Sequence, residues 1–478
     1  MVPPDTASDA APSDGGAHQP DVRGLPMVHP PDPERLAAER AWLAEVATKP
    51  RLARWFAYAG KGGPGYLQSA LTLGGGSASA SLLAGAAFGY DLLWVAPLGM
   101  LMGGLVLAAV AHQTLSTGER PFAAMRRYAG GVFAWGWAIG ALLASVVWHF
   151  AQYSLASAVV VDLGDAAGAE LPRFGAGLAI LVWAVATAQT FGSGGAANRI
   201  FERLLRWMVW MIVLLFGVVA VRAGFDDPGA ILRGFTSFRL PADRGEVAAI
   251  ALVISGLAAA VGVNMLFLYP YTLLARGWGR EHRELARVDL GLGMVVPYVI
   301  ATALMTITAA NTIHADFSGA SISPVEAAQT LGGLVGPVWG RVLFDLGLLA
   351  MLLTTITLHM VCAGFACSEM FGLKFGSRGY RLALLLPTPG VLGSLFWSDL
   401  SVWLAVPTGV ITGFLLPLAY IGFAKLQRSD AYLGADRPRG AAGAAWLGGI
   451  VLATIVLLVF LGWYLVTKGP GFIDRLLL

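Results

Sequence analysis

Residues 63–94 read GPGYLQSALTLGGGSASASLLAGAAFGYDLLW, an apolar stretch interrupted at its middle by Gly74, Gly75, Gly76, Ser77 and Ser79. A run of this length is enough to cross a bilayer, and its centre is where a helix would break. A second interruption, AAAVGVNMLFLYP around Gly262, Val263 and Asn264, follows four further hydrophobic stretches. Two broken spans therefore occupy matching places in two halves of the chain. That pattern points to the solute-binding centre of an inverted-repeat membrane protein. The expectation is that both breaks lie at mid-depth, face each other and jointly line one cavity.

Composition supports a membrane setting. The 478 residues are 56% hydrophobic and 13% charged, and the mean hydropathy is +0.68, well outside soluble globular usage. The net charge of +3 is small and spread over many connections, so there is no basic stripe for a nucleic-acid partner. Hydrophobic runs predict spans near 64–87, 92–112, 133–161, 175–192, 204–222, 247–273, 290–310, 341–371, 381–397, 400–424 and 443–467. The chain thus reads as an all-α polytopic membrane protein with about eleven crossings.

Arginine and lysine gather on alternate connections: Arg120, Arg126 and Arg127; Arg199, Arg203 and Arg206; Arg276 to Arg287; Lys374 to Arg381; Lys425 to Arg439. The positive-inside rule places those loops and the N-terminus in the cytoplasm, in a plasma (bacterial inner) membrane. Residues 1–48, rich in Pro, Asp, Ala and Gly, are expected to form a disordered cytoplasmic tail. Residues 49–425 would form the core, and 426–478 an additional C-terminal helix.

Polar side chains inside the spans are candidates for function. Asn264 and Ser77 are expected to line the cavity, and the glycines to let a ligand approach the main chain. The half-helix starting near Ser77 offers amide groups to an anion, and the one ending before Gly74 offers carbonyls to a cation. Together they suit a small polar or zwitterionic solute. His149 and His359 sit mid-span as core residues or proton carriers. Asp345 stands four residues after Arg341, so an ion pair along the helix is expected, with a proton relay as the alternative. Asp91, Asp289 and Asp399 at span boundaries read as hydrated ends. Trp94, Trp135 and Trp207 read as interfacial belts, and Cys362 and Cys367 as packing residues.

Gly63-Pro64-Gly65, Phe88-Gly89-Tyr90 and Leu92-Leu93-Trp94, followed by ERLLRWMVWMIVLLFG, LFLYPYTLLARG and VEAAQTLGGLVGPVWGRVLFDLGLLAMLLTTIT, resemble the NRAMP family of proton-coupled divalent metal transporters across roughly residues 55–425. The resemblance implies a LeuT-like 5+5 inverted repeat and secondary transport. It also implies a metal site that this chain lacks in its usual form. The family's Asp-Pro-Gly-Asn, after the eight-residue spacer that follows Gly-Pro-Gly, falls on Gly74, Gly75, Gly76 and Ser77. Its Met-Pro-His falls on Gly262, Val263 and Asn264, a later histidine on Tyr269, and the acidic pair of the third helix near Gln152 and Leu155. His149, Gln152, Asp345 and His359 are then the candidates for a proton or ion pathway.

Neutral oxygens do not compensate a divalent transition ion as carboxylates do. The alternatives to metal transport are a small polar solute or another ion, with protons or sodium as coupling ion, and a non-transporting membrane sensor or scaffold. No HExxH or GxxxxGK[ST] motif occurs, so neither an intramembrane enzyme nor nucleotide-driven pumping is expected, and no cofactor is implied.

Overall fold

The computed structural model describes residues 23–477 except 246, 320–338, 397–407 and 411. Helices α1 (Pro33–Ala47) and α2 (Arg51–Ala59) precede the first broken span, formed by α3 (Pro64–Thr72) and α4 (Gly75–Phe88). Then come α5 (Val95–Thr117), α6 (Gly131–Ala166), α7 (Arg173–Thr190) and α8 (Gly195–Ala223). The second broken span is α9 (Ala249–Ala260) and α10 (Val263–Ala275). It is followed by α11 (Arg283–Leu290), α12 (Val296–Thr312), α13 (Trp339–Phe371), α14 (Leu416–Arg428) and α15 (Gly440–Leu477). Among the described residues seven helices are long and apolar enough to cross a membrane, and the bent pair α3 and α4 makes an eighth.

Burial sorts these helices into a centre and a periphery. In its most apolar stretch α13 is 83% buried, whereas α15 is 28% buried and faces outward. The long helices α6 and α13 pack against each other, and α13 also lies on α8. The broken helices are seated between these and α5 and α12. Gly85 permits the contact of α4 with α12, since a Cβ there would lie 2.2 Å from the Thr306 carbonyl oxygen. Small residues serve helix packing in this way where lipid supplies no hydrophobic drive between helices.

Both expected breaks are present. α3 starts with Pro64 in its first turn, where the missing N–H costs no bond. It ends at Leu73, Gly74 is extended, and α4 departs at 54°. Val261 and Gly262 are likewise extended between α9 and α10. Irregular backbone at this depth is tolerated only inside protein, and Leu73, Ser77, Ala260 and Val261 are all at most 2% exposed.

Several expectations are corrected. Within the stretch read as a disordered tail, residues 33–47 form α1, because Asp32 caps it by accepting the Glu34 amide at 3.0 Å. The preceding strap is tied to two later connections: Gly24 N donates to Gly118 O, Val28 N to Phe375 O, and Phe375 N to Pro26 O. Residues 1–22 lie outside the described residues. The ninth span is not one helix. Pro387 and Pro389 break it into Arg378–Ala383, a turn at Thr388–Leu392 and Gly393–Phe396. Asp399 and the start of the tenth span lie outside the described residues. Trp94 is not part of a belt. It is buried, and its indole N–H donates to Arg239 O at 3.0 Å.

Candidate functional site

The two breaks are joined directly. The Thr72 hydroxyl, last in α3, lies 2.7 Å from both the Ala259 and Ala260 carbonyl oxygens at the end of α9. From α13, the Thr355 hydroxyl reaches the Leu73 carbonyl at 3.0 Å. These hydroxyls occupy carbonyls that a helix end leaves without partners.

The half-helix starts are capped by side chains. Ser77 Oγ accepts the Gly74 amide at 3.0 Å and lies 2.9 Å from the Thr72 carbonyl oxygen. Gln152 Oε1, from α6, accepts the Gly75 amide at 3.0 Å. At the second break Asn264 Oδ1 accepts the Met265 amide at 3.0 Å, and Met265 Sδ accepts the Gly262 amide at 3.3 Å. The Cys362 thiol donates to the Asn264 carbonyl at 3.3 Å, so this cysteine braces the break as well as packing. Cys367 is buried and free.

Between the breaks lies a cavity of about 30 Å³, lined by Thr72, Gly74, Gly76 and Ser77 of the first, and Gly262, Asn264 and Met265 of the second. Trp148 and Gln152 of α6 and Thr355 and His359 of α13 close its sides. Gly75 and Val263, expected at the site, do not line it. Gly75 instead packs where a Cβ would meet Leu155 Cδ1 at 2.6 Å, and Val263 is fully buried. A second cavity of about 30 Å³ shares Ser77 and runs between α4, α5, α9 and α12.

The glycines are there for a different reason than expected. Gly74 has φ −148 and ψ −170, a conformation open to any residue. What excludes a side chain is proximity: a Cβ on Gly74 would lie 2.4 Å from Thr355 Oγ1, and one on Gly76 2.5 Å from Trp148 Cη2. The run GGG is therefore a seat for α6 and α13 and, through Gly74 and Gly76, a wall of the cavity.

The pathway candidates divide into two groups. His149 and His359 are buried with ring centroids 5.6 Å apart, and Tyr153 lies 5.6 Å from His149. His149 Nδ1 contacts the Ser145 carbonyl at 3.2 Å. His149 Nε2, His359 Nδ1 and the Tyr153 hydroxyl have no hydrogen-bond partner among the described residues. Gln152 joins this group at the cavity. Asp345 does not, standing fourteen residues before His359 on α13, roughly 21 Å along the axis.

The expected ion pair of Asp345 with Arg341 is corrected too. Arg341 makes a two-pronged ion pair with Asp162 of α6, and the buried Asp345 carboxylate stands beside them. A fork-shaped guanidinium prefers the carboxylate that presents both oxygens to it.

Asp289 is also not a hydrated end. It is 2% exposed and accepts the amides of Gly63 at 2.8 Å and Gly65 at 2.6 Å, capping α3 from α11. Arg276 pairs with Glu202 nearby, so the start of the first broken span is held by charged groups of three neighbouring segments. Tyr269 donates to the Ala286 carbonyl at 3.3 Å, away from the cavity. Among the described residues no group of three or more His, Cys, Asp and Glu could hold a metal ion. The donors present at the breaks are thioether, imidazole, amide, hydroxyl and carbonyl.

Paired breaks at matching places, seated on long helices, define the architecture of LeuT-like transporters. The family described as Natural resistance-associated macrophage protein-like matches residues 65–466, and the chain belongs to that family. It is 25% identical over 429 residues to the divalent metal cation transporter MntH of Mesorhizobium japonicum, covering 86% of this chain and 89% of that one. To MntH of Mycobacterium tuberculosis it is 25% identical over 422 residues, covering 85% and 92%. Its fold is similar to that of the Eremococcus coleocola manganese transporter, with TM-score 0.70 at 16% identity over 96% of this chain and 94% of that one. MhsT in complex with L-phenylalanine shares the fold at TM-score 0.54 and 14% identity, over 83% and 97%. The relatives are named as transporters rather than enzymes, and the chain is an all-α integral membrane protein of this fold.

Proposed function

We propose that this chain is a secondary transporter carrying a metal cation through the cavity between the paired helix breaks by alternating access. The observation that carries this reading is the shared cavity itself, with Thr72 of one break bonded to the carbonyls of the other. Its volume of about 30 Å³ suits an ion or one or two waters rather than an amino-acid-sized solute. The printed names of the relatives, divalent metal cation transporters, support a metal as cargo.

In this reading the usual metal ligands are replaced. Ser77, Gly262 and Asn264 stand among the cavity's walls, and among the described residues no Asp or Glu does. The seam between α6 and α13, with His149, Gln152 and His359 near the cavity and Asp345 toward its other end, is the proposed route for a coupling proton or ion. Buried ring nitrogens without a hydrogen-bond partner among the described residues, on rings with centroids 5.6 Å apart, support it. The membrane is a plasma membrane, with the N-terminus cytoplasmic as the basic loops indicate.

Uptake by the purified chain in proteoliposomes, across a panel of mono- and divalent metal ions, tests the proposal. Asn264→Leu is expected to reduce uptake at least about tenfold, equivalent to about 1.4 kcal/mol, with the folded yield kept. Wild-type rates in that variant, or no uptake of any ion, would remove the assignment.

A further inference from the structure

We infer that α2 lies in the plane of the membrane surface and binds an anionic phospholipid leaflet, on the side where the first broken span begins. Leu52, Trp55, Phe56 and Ala59 recur at spacings of three and four, which puts them on one face of the helix. Tyr58 and Arg54 belong to another face: Tyr58 is buried, and Arg54 pairs with Glu284 of α11 at 3.2 Å. One side of α2 is thus docked on the protein, and the apolar face is left over. Leu52 is 71%, Trp55 51% and Phe56 80% exposed. Large apolar side chains gathered in this way mark a surface that meets something apolar.

Level and charge say what covers it. Only residues 60–63 separate α2 from α3, so the patch stands where the chain passes into the bilayer. The helix α8 marks the same level: Arg206 donates to the Gly62 carbonyl oxygen, and Trp207 and Trp210 beside it are exposed. Exposed tryptophans gather at the headgroup level of a membrane. Arg51 stands one turn before Trp55, at the border of the apolar face. Arg203 and Arg199 lie roughly 4.5 and 10.5 Å along α8 from Arg206, away from the span. All three arginines are exposed, and none makes an ion pair among the described residues. An amphipathic helix with this layout sits in the headgroup region, where buried apolar area and attraction to anionic lipid add. Each basic group near such a surface strengthens the association several-fold. Through the short 60–63 link, α2 then holds the start of α3, whose other end reaches the cavity at Thr72.

Spin labels on the full chain in nanodiscs test this, attached in separate variants at Leu52→Cys, Phe56→Cys and, as an aqueous reference, Glu45→Cys. Glu45 is exposed on α1, and native Cys362 and Cys367 are buried. In discs of phosphatidylcholine with phosphatidylglycerol, the labels at 52 and 56 are expected to collide readily with oxygen, which concentrates in lipid. They should be shielded from a water-soluble nickel chelate at least about fivefold relative to the label at 45. Phosphatidylcholine alone is expected to reduce that shielding at least about twofold, and Arg51→Gln with Arg199→Gln and Arg203→Gln should do the same in the mixed lipid. These arginines are exposed, so the triple variant keeps the fold.

Nickel access at positions 52 and 56 equal to that at 45 would overturn the inference, because the face would then be in water. Shielding from both probes would overturn it as well, since a second copy or residues 1–22 would be lying on the face. Equal shielding in the two lipids would remove the anionic partner.

Discussion

At the residue scale, the buried polar side chains at the breaks are structural caps before they are anything else. Ser77 Oγ holds the Gly74 amide and lies on the Thr72 carbonyl, both in the unwound turn. Ser77→Ala is expected to destabilise the protein by about 1 kcal/mol, the usual cost of a lost cap, seen as a lower unfolding temperature in detergent. Asp289 holds two amides at the start of α3 and is buried. Asp289→Asn keeps the shape but leaves one oxygen to accept and turns an NH2 toward the other amide, and a loss of about 1.5–3 kcal/mol is expected in the same measurement.

The ion pair on the seam of α6 and α13 behaves differently. Arg341 is shared between Asp162, its partner, and Asp345, its neighbour. Arg341→Gln leaves buried carboxylates without a counter-charge and is expected to cost about 3 kcal/mol, with Asp162→Asn in the same chain recovering much of it. Absence of rescue in a thermal unfolding series would contradict the pairing.

At the scale of elements, the breaks exist because helix ends meet neighbours that satisfy them. Two hydroxyls and an amide, from Ser77, Thr355 and Gln152, take the places of helical bonds lost at the first break, and the Thr72 hydroxyl serves the carbonyls that end α9 at the second. The glycines let α6 and α13 approach closely enough to supply two of those groups. A side chain at Gly74 would collide with Thr355, so Gly74→Asp alone is expected to lower folded yield, with an overpacking cost of about 1–3 kcal/mol. Gly74→Asp with Thr355→Ala makes the room, and recovered yield in a size-exclusion profile is the expected result. The lesson for redesign is that restoring a carboxylate at this position requires changing α13 as well as the break.

At the scale of the whole molecule, α13, the most buried of the seven long spans, touches both breaks, and the basic loops carry the proposed orientation. Arg199, Arg233 and Arg378 are exposed on connections that the orientation assigns to opposite sides. Single cysteines replacing Arg199 or Arg378 are expected to react with a membrane-impermeant maleimide only after permeabilisation, and one replacing Arg233 in intact cells. Native Cys362 and Cys367 are buried and give little background. Labelling from the opposite sides would invert the topology.

Much of this was legible in the chain itself. Span lengths, the alternation of basic loops and the two interruptions follow from hydropathy, charge and local breaking tendency, all of which are properties of consecutive residues. Residues that act across the fold were not legible in that way. Cys362 reads as a packing residue and Asp289 as a hydrated end, and nothing in the spacing singles out Met265, Thr72 or Thr355, yet each holds a break or its entrance. Arg341 chose a carboxylate on another helix over the one a turn away. Hydrophobic pattern determined which segments enter the bilayer, because transfer from water is a sum over a segment's own side chains. Only the tertiary structure decided which donors share a cavity, because hydrogen bonds and ion pairs in a low-dielectric interior depend on distances between segments that sequence spacing does not contain.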